Sequence, residues 1–274
     1  MRGTVLVIIL GLLLCYSQRL ASCAVLDISQ VDELFYDQFE YYYDYVHTKM
    51  FNPIVGVSIT SVKEGPVTLW DVGPGEICPI VTIRLKDNEP ILVNITIYGR
   101  ERYMIYLLKQ EGRWSSDPVN TKEKLYMEFD KLKTIPAQII PFTLNLTAMS
   151  GIEFDIFELA IFSLSSWLYV PKVAFSITEI GDGGDVIWKA NEDERRCTSV
   201  FAHLKDGSPY LLYFLVKGAD DSRKRQYYYK DGSKWIRTTF SEINDKLEDL
   251  LDALVSDIDT PPLSEDEVSD MDGG

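Results

Sequence analysis

Histidine is scarce in this chain: His47 and His203 are the only two among 274 residues. The sequence also contains no HExxH helix, paired CxxC, phosphate-binding loop, dinucleotide fingerprint or nucleophile elbow. Many carboxylates are present, but an acid–base pair cannot be identified from isolated acidic residues. We therefore expect no enzymatic activity, no catalytic residue, no metal site and no cofactor. An enzyme with an unrecognised acidic site is the alternative.

Basic residues are also few, with 27 Lys and Arg against 42 Asp and Glu and a net charge of −15. Nucleic acids and anionic membranes are usually bound through clusters of Lys and Arg. The composition therefore argues against nucleic acid as a partner. Hydrophobic residues make up 46% of the chain and aromatic residues 12%, which is enough for packed cores and excludes wholesale disorder.

Long apolar runs are absent after the N-terminal region, so we expect no integral membrane segment in the mature protein. Residues 1–23 have the pattern of a secretory signal peptide, with Arg2 followed by the apolar run Val5–Leu14 and then small residues. That run is shorter than the ~20 residues that a membrane-spanning helix needs. We expect the segment to be removed and the mature protein to be secreted.

What the sequence does contain is a duplication. The stretch Val57–Trp70 recurs as Phe175–Trp188, 118 positions later, with Ser-Ile-Thr, a glycine and the tryptophan at the same spacing. The offset then grows to 119 and 121, as expected if insertions fall in loops. The predicted organisation is a signal peptide (1–23), a first domain (25–134), a linker (135–141), a second domain (142–256) and an acidic disordered tail (257–274).

Within each copy the apolar residues mostly repeat with period two, which predicts strands. Ile80–Leu85 and Ile91–Tyr98 are examples, joined by a hairpin turn. Helical spacing follows at Asn120–Lys133 and again from Phe240, where Thr239 precedes the helix as a cap. The predicted fold is α+β but mainly β, with two tandem antiparallel sandwich-like or barrel-like domains, each ending in a C-terminal helix. The apolar linker predicts that the domains pack together.

Two pairs of residues suggest covalent modification. Cys78 and Cys197 occupy corresponding places in the two copies, and they either form a disulfide between the copies or are small buried strand residues. A disulfide requires Cα atoms within about 7 Å. Asn94 and Asn145 begin glycosylation sequons, but both lie in predicted strands, where their use is doubtful.

A tyrosine cluster is the candidate interaction surface. Tyr41, Tyr43 and Tyr45 fall on one face of a predicted strand, whereas Tyr42 points to the other face. Tyrosine is enriched at protein interfaces, but the same pattern also suits a half-buried face. His47, which follows the cluster, is expected to be a partly exposed structural residue.

The repeated unit resembles a known family. Its Pro-x-x-x-x-Ser-Ile-Thr motif, the glycine and tryptophan that follow, a Lys-Asp-x-x-Pro hairpin, Tyr-x-x-Lys, a second tryptophan and a closing helix are similar to the FAINT domain. That domain is found in secreted proteins of Theileria and related piroplasm parasites, including the SfiI-subtelomeric-fragment-related families. The resemblance covers nearly all of residues 25–256 and carries no catalytic motif.

The resemblance implies a secreted parasite protein that can be released into the infected host cell. Together with the absence of catalytic motifs, it leads us to expect a non-enzymatic binding or effector module at the host–parasite interface, with unidentified host proteins as partners. A variable structural surface antigen is the remaining alternative.

Overall fold

The computed structural model describes residues 22–99, 102–115, 117–119 and 121–258. Most of the expected signal peptide (residues 1–21) and the tail from residue 259 onward lie outside the described residues. The described part of the chain is mostly β, with eighteen strands and two helices. The period-two pattern therefore identified the dominant secondary structure.

Each copy contributes nine of these strands and one helix, in the same order. The first copy contains β1 (Ser22–Asp27), β2 (Tyr36–Tyr43), β3 (Val46–Pro53), β4 (Val57–Glu64), β5 (Val67–Asp71), β6 (Ile77–Lys86), β7 (Glu89–Tyr98), β8 (Arg102–Gln110), β9 (Arg113–Trp114) and α1 (Lys122–Asp130). The second copy contains β10 (Ile140–Asn145), β11 (Phe154–Ile161), β12 (Leu164–Pro171), β13 (Phe175–Asp182), β14 (Asp185–Lys189), β15 (Glu194–Lys205), β16 (Ser208–Gly218), β17 (Arg223–Asp231), β18 (Lys234–Thr238) and α2 (Phe240–Ile258).

The strand pairing is duplicated together with its irregularities. β1 lies parallel to β4, and β10 lies parallel to β13. The register of the first pair shifts between Ala24 and Val25, and that of the second shifts between Phe142 and Thr143, 118 positions later. A β-bulge is a specific feature of a fold. Its repetition at equivalent positions means that the two copies share one fold.

The tryptophans of the repeated stretch occupy the same place in both copies. Trp70 pairs with Val62 across the glycine hairpin, and Trp188 pairs with Ile180. Trp70 packs against the first core, and Trp188 is buried in the second. The repeated motif is thus a hairpin whose second strand supplies a tryptophan to the core.

Two features of the predicted architecture are corrected. β1 pairs with β4 and β10 pairs with β13 in parallel, not antiparallel, orientation. In each copy a hairpin (β2–β3 or β11–β12) separates the two paired strands along the chain. The strands also do not form a clear sandwich or barrel; they form open three-, six- and nine-stranded sheets in a solenoid-like arrangement. Closing a barrel requires the first and last strands of a sheet to pair. Here the six-stranded sheet ends at β2 and β9.

Both helices close the copy to which they belong. Thr121 caps α1 by accepting a hydrogen bond from the Lys124 backbone N–H, and Thr239 accepts one from the Glu242 N–H at the start of α2. Phe129 of α1 packs against strand residues of the first copy, and Ile243 of α2 packs against those of the second. The expected helices are confirmed, although α1 is shorter than Asn120–Lys133.

A second duplicated feature is a triad of lysine, carboxylate and tryptophan. Glu64 accepts hydrogen bonds from Lys109 Nζ and Trp114 Nε1, both at 2.8 Å. In the second copy Asp182 accepts from Lys230 Nζ at 2.7 Å and from Trp235 Nε1 at 2.8 Å. These contacts link the β4 or β13 hairpin to the β8–β9 or β17–β18 hairpin. They account for the lysine of the repeated Tyr-x-x-Lys and for the second repeated tryptophan.

Candidate interaction groove between the two copies

The two copies contact each other through equivalent faces. Phe39 of β2 lies against Phe157 of β11, its own counterpart, with ring centroids 5.2 Å apart. Three further pairs of equivalent positions belong to the same hydrophobic cluster: Tyr41 and Leu159, Tyr43 and Ile161, Met50 and Leu168. A contact between equivalent faces has approximate two-fold symmetry, as in a symmetric dimer. We call this contact the inter-copy interface.

One end of the inter-copy interface is ionic. Asp44, in the turn between β2 and β3, is only 4% exposed. Its carboxylate pairs with Arg196 and lies 3.0 Å from Lys133 Nζ and 3.5 Å from Arg223 Nη2. Burial by itself would raise the pKa of Asp44, but Arg196 and Lys133 outweigh it and hold the pKa below its usual value. The buried carboxylate is therefore ionised and joins the two copies.

The opposite end of the inter-copy interface is aromatic. The counterpart of Asp44 is Phe162, whose ring contacts Tyr98 with centroids 4.7 Å apart. Tyr98 is in turn the counterpart of Lys217, which lies 3.9 Å from Asp44. Pairing two first copies would put Ile77 and Tyr98 in the places of Arg196 and Lys217 and so remove two of the cations around the buried Asp44, which is costly. The interface thus favours pairing of a first copy with a second copy over pairing of two first copies.

Next to the inter-copy interface, the chain forms an open groove of about 500 Å³. One wall comes from the first copy and the other from the second. Its lining consists of Glu40, Tyr41, Tyr42, His47, Asp155, Pro171, Lys172 and Val173. Clefts of this kind between structural units are common sites of ligand binding.

The first-copy wall of the groove carries a stacked aromatic pair. The rings of Tyr42 and His47 lie nearly parallel, with centroids 5.1 Å apart. His47 Nε2 is 2.6 Å from Glu40 Oε1, and Lys49 Nζ is 3.4 Å from the other oxygen of that carboxylate. The wall therefore presents a stacked aromatic surface with charged groups beside it.

The second-copy wall is mixed in character. Lys172 Nζ lies 3.4 Å from Asp155 Oδ1, and both side chains are more than 40% exposed. Pro171 and Val173 flank this ion pair and supply apolar surface. The groove therefore offers aromatic, aliphatic and charged groups within one cleft, which suits recognition of a polypeptide.

The structure places the predicted tyrosine surface at the inter-copy interface. Tyr41 and Tyr45 are buried, and Tyr43 packs in the clusters at the interface and beside α1. Tyr45 lies in the turn after β2, so it does not continue the strand alternation. The three tyrosines thus serve a contact within the chain, and only Tyr41 also lines the groove. Tyr42, placed on the opposite face, is the more exposed residue.

Cys78 and Cys197 are both free and buried in the separate cores of the two copies. Each thiol donates to a backbone carbonyl two residues further on. Burial raises the pKa of both thiols to about 12. The disulfide is therefore not formed, because the two positions belong to different cores, and both residues match the buried-strand alternative.

Both sequon asparagines lie in strands, as expected. Asn94 is half-buried in the middle of β7, and Asn145 is the exposed last residue of β10. Asn145 Oδ1 accepts hydrogen bonds from the backbone N–H and the hydroxyl of Thr147. The hydroxyl of the sequon threonine is thus already hydrogen-bonded to Asn145 in a local turn.

Several residues that build the groove and the ionic end gave no signal in the sequence. Asp44, Asp155 and Lys172 are ordinary charged residues outside the repeated motif. Only the packing of the two copies brings Arg196 to Asp44 and sets Asp155 and Lys172 of the β11–β12 hairpin opposite the first copy. Within residues 22–258, the described part contains no cluster of His, Cys, Asp or Glu arranged to hold a metal ion. Neither α1 nor α2, over their described lengths, is long and apolar enough to cross a membrane.

Comparison with known proteins bears on this architecture. The family model described as "FAINT: Domain of unknown function, DUF529" matches residues 25–99 and 144–220. The chain is also 22% identical over 139 residues to the 104 kDa microneme/rhoptry antigen of Theileria annulata. That match covers 51% of this chain and 15% of the relative.

No solved structure matches the chain significantly. The two family matches together cover more than half of the sequence, and one falls within each structural copy. The chain therefore belongs to the FAINT family of piroplasm proteins.

Proposed function

We propose that this chain is a secreted, non-enzymatic binding module that acts at the host–parasite interface, and that the groove beside the inter-copy interface holds its protein ligand. The groove is the observation that carries this proposal. It is open, has a wall of stacked aromatic rings formed by Tyr42 and His47, and combines groups of both charges with apolar surface. Such surfaces are typical of protein recognition.

The secreted character of the proposal is supported by two observations. Residues 1–23 have the pattern of a signal peptide, and the relative from Theileria annulata is named as a microneme/rhoptry antigen. Removal of residues 1–23 would also remove Ser22 and Cys23 from the start of β1, while the buried Ala24 and Leu26 would remain. N-terminal sequencing of the exported chain tests this point; a chain that still begins at Met1 would contradict it.

Affinity purification from host-cell lysate tests the binding role. The wild-type chain is expected to retain a reproducible host protein, and Tyr42→Ala is expected to weaken its retention by about tenfold, because an aromatic anchor is lost. Tyr103→Ala is the matched control, since Tyr103 is equally exposed but does not line the groove. A wild-type chain that retains no host protein, or equal loss in both variants, would argue against the proposal.

A further inference from the structure

An exposed apolar patch lies at the start of β2, in the first copy. Leu34 is 77% exposed and Val55 is 70% exposed, although both side chains are apolar. Phe35 and Ile54, their neighbours in sequence, are half-buried. The Ile54 N–H donates to the Phe35 carbonyl at 3.1 Å, so the loop before β2 and the turn after β3 lie side by side. We call these four residues the first-copy patch.

Backbone hydrogen bonds fix the shape of the first-copy patch. Asp32 Oδ1 accepts from the Leu34 N–H at 3.0 Å. On the other loop, the Val57 N–H donates to the Ile54 carbonyl at 3.0 Å and closes the turn that carries Val55. Val57 also packs against the first core. The two exposed side chains are therefore presented by a preformed backbone, which loses little conformational freedom when a partner binds.

Acidic residues accompany the first-copy patch, and basic residues do not. Asp32, Glu33 and Asp37 are all exposed. Residues 29–37 and 53–58, which include both loops, contain no Lys or Arg. The patch thus combines an apolar centre with a negative rim, on a chain whose net charge is −15. A rim of this kind attracts cationic partners and repels anionic ones.

The equivalent place in the second copy lacks this combination. Ile152 stands in the place of Leu34 and is also 77% exposed. Lys172, however, stands in the place of Ile54, and the two acidic residues directly before Leu34 have uncharged counterparts. The apolar centre with a negative rim is therefore a feature of the first copy, and Ile152 provides a comparison that is matched in position and exposure.

We infer that the first-copy patch is a second docking surface, separate from the groove, and that it binds a basic segment of a protein partner. A large apolar side chain of that segment would pack on Leu34 and Val55, with Lys or Arg beside it facing the acidic rim. Neighbouring exposed apolar residues of this kind mark interaction sites. The negative rim and the net charge disfavour a second copy of this chain or an anionic membrane as the occupant.

The first-copy patch and the groove lie at opposite ends of β2. The strand begins beside Phe35 and reaches the groove at Tyr42, so the two surfaces are about 20 Å apart along it. A partner bound at the patch therefore leaves the stacked Tyr42 and His47 rings uncovered. The inference thus adds a site to the proposed function and can be tested apart from it.

A phage-displayed library of linear peptides tests the apolar centre. It is selected on the chain that begins at Ala24, the start expected after signal-peptide removal, and is first depleted on Leu34→Ser. Enriched peptides are expected to have a net positive charge and a large apolar residue. By fluorescence anisotropy, their dissociation constants should rise about tenfold for Leu34→Ser, as the loss of one buried aliphatic side chain implies. Ile152→Ser, and Tyr42→Ala in the groove, should leave them unchanged.

Charge-removing variants test the rim. Glu33→Gln combined with Asp37→Asn is expected to weaken peptide binding about threefold and to flatten its dependence on salt concentration. Asp87→Asn combined with Glu89→Gln is the control, because it removes the same net charge from exposed positions in the β6–β7 hairpin. Since all four carboxylates are exposed, neither double variant should change the thermal unfolding transition.

Several outcomes would overturn this inference. They are failure to enrich any peptide, enrichment of peptides without positive charge, and equal binding by wild type and Leu34→Ser. Dimerisation in analytical ultracentrifugation that Leu34→Ser abolishes would make a second copy the occupant instead. Binding to phosphatidylserine–phosphatidylcholine vesicles that Leu34→Ser abolishes would make it a membrane. Host-protein retention that depends on Tyr42 concerns the groove, so the proposed function and the first-copy patch succeed or fail separately.

Discussion

Asp44 combines features that rarely occur together in one residue. It is buried, it lies in a turn with positive φ, and cationic side chains from the second copy surround it. Removing one partner of a buried ion pair usually costs more than the pair itself contributes, because the remaining charges stay buried without compensation. This single carboxylate should therefore control the ionic end of the inter-copy interface.

We expect Asp44→Asn to lower the free energy of unfolding by about 3 kcal/mol at neutral pH, because Arg196 and Lys133 would then lack their buried partner. The measurement is urea-induced unfolding followed by tryptophan fluorescence. Asp130→Asn is the control: that carboxylate pairs with the same Lys133 but is half-exposed, so its loss should cost less than about 1 kcal/mol. Equal effects of the two substitutions would contradict a special role for Asp44.

The same residue predicts an acid transition. The pKa of Asp44 is depressed in the folded chain, so its contribution to stability is complete above the unfolded pKa of about 3.9 and is lost as pH falls through the lower folded value. The difference in stability between wild type and Asp44→Asn should therefore shrink below about pH 4. A difference that stays constant from pH 7 to pH 3 would contradict this assignment.

The two core cysteines should be inert in the folded chain. Burial and thiol pKa values of about 12 leave almost no thiolate at neutral pH, and the thiolate is the reactive form. We expect Cys78 and Cys197 to escape alkylation by iodoacetamide under native conditions and to react after unfolding, as read by peptide mapping. The exposed Cys23, in chains that keep it, is the internal control. Rapid native labelling of either core thiol would be inconsistent with its burial.

At the scale of elements, the lysine–carboxylate–tryptophan triad should stabilise each copy separately. In the second copy, Asp182 has a lowered pKa: burial opposes ionisation, but hydrogen bonds from Lys230 and Trp235 outweigh it. We expect Asp182→Ala to lower the free energy of unfolding by about 2 kcal/mol, because two donors lose their acceptor. Asp185→Ala, an exposed carboxylate at the start of β14, should cost less than about 0.5 kcal/mol.

Strands and hairpins were predictable because their information is local. Ile91–Tyr98 lies within β7, and the turn before it falls where Lys86-Asp87-Asn88-Glu89-Pro90 indicated. The parallel pairing of β1 with β4 was not predictable, since both strands carry the same period-two pattern whichever way they pair. Tyr45 was misplaced for a local reason: no proline or glycine marks the turn at Asp44 and Tyr45.

For the whole molecule, the duplication was visible in the sequence but the arrangement of the copies was not. The two domains pack together, as predicted, but not for the predicted reason. The apolar linker is not what packs: Ile135 and Ile139 are exposed, and the copies contact each other at the inter-copy interface. Asp155 and Lys172 are neighbours across the β11–β12 hairpin, but only that contact between the copies brings them opposite Tyr42 and His47, so no local pattern could have identified the groove.

We expect the wild-type chain to unfold in one cooperative transition, because the inter-copy interface couples two separate cores. Phe157→Ala removes the ring at the centre of that interface, which contacts both Phe39 and Tyr41, and leaves the two cores intact. Differential scanning calorimetry should then resolve two transitions. Ile187→Ala, a half-buried residue beside the second core, is the control and should only shift a single transition. A single transition in Phe157→Ala would contradict the coupling.

The approximate two-fold symmetry has a consequence for how the groove behaves when the protein is diluted. A dimer of separate chains dissociates when it is diluted, whereas two partners joined by a short linker keep a fixed effective concentration, in the millimolar range for short flexible connections. The groove needs a wall from each partner. Because both partners belong to one polypeptide, the groove stays assembled even at concentrations too low for separate chains to associate.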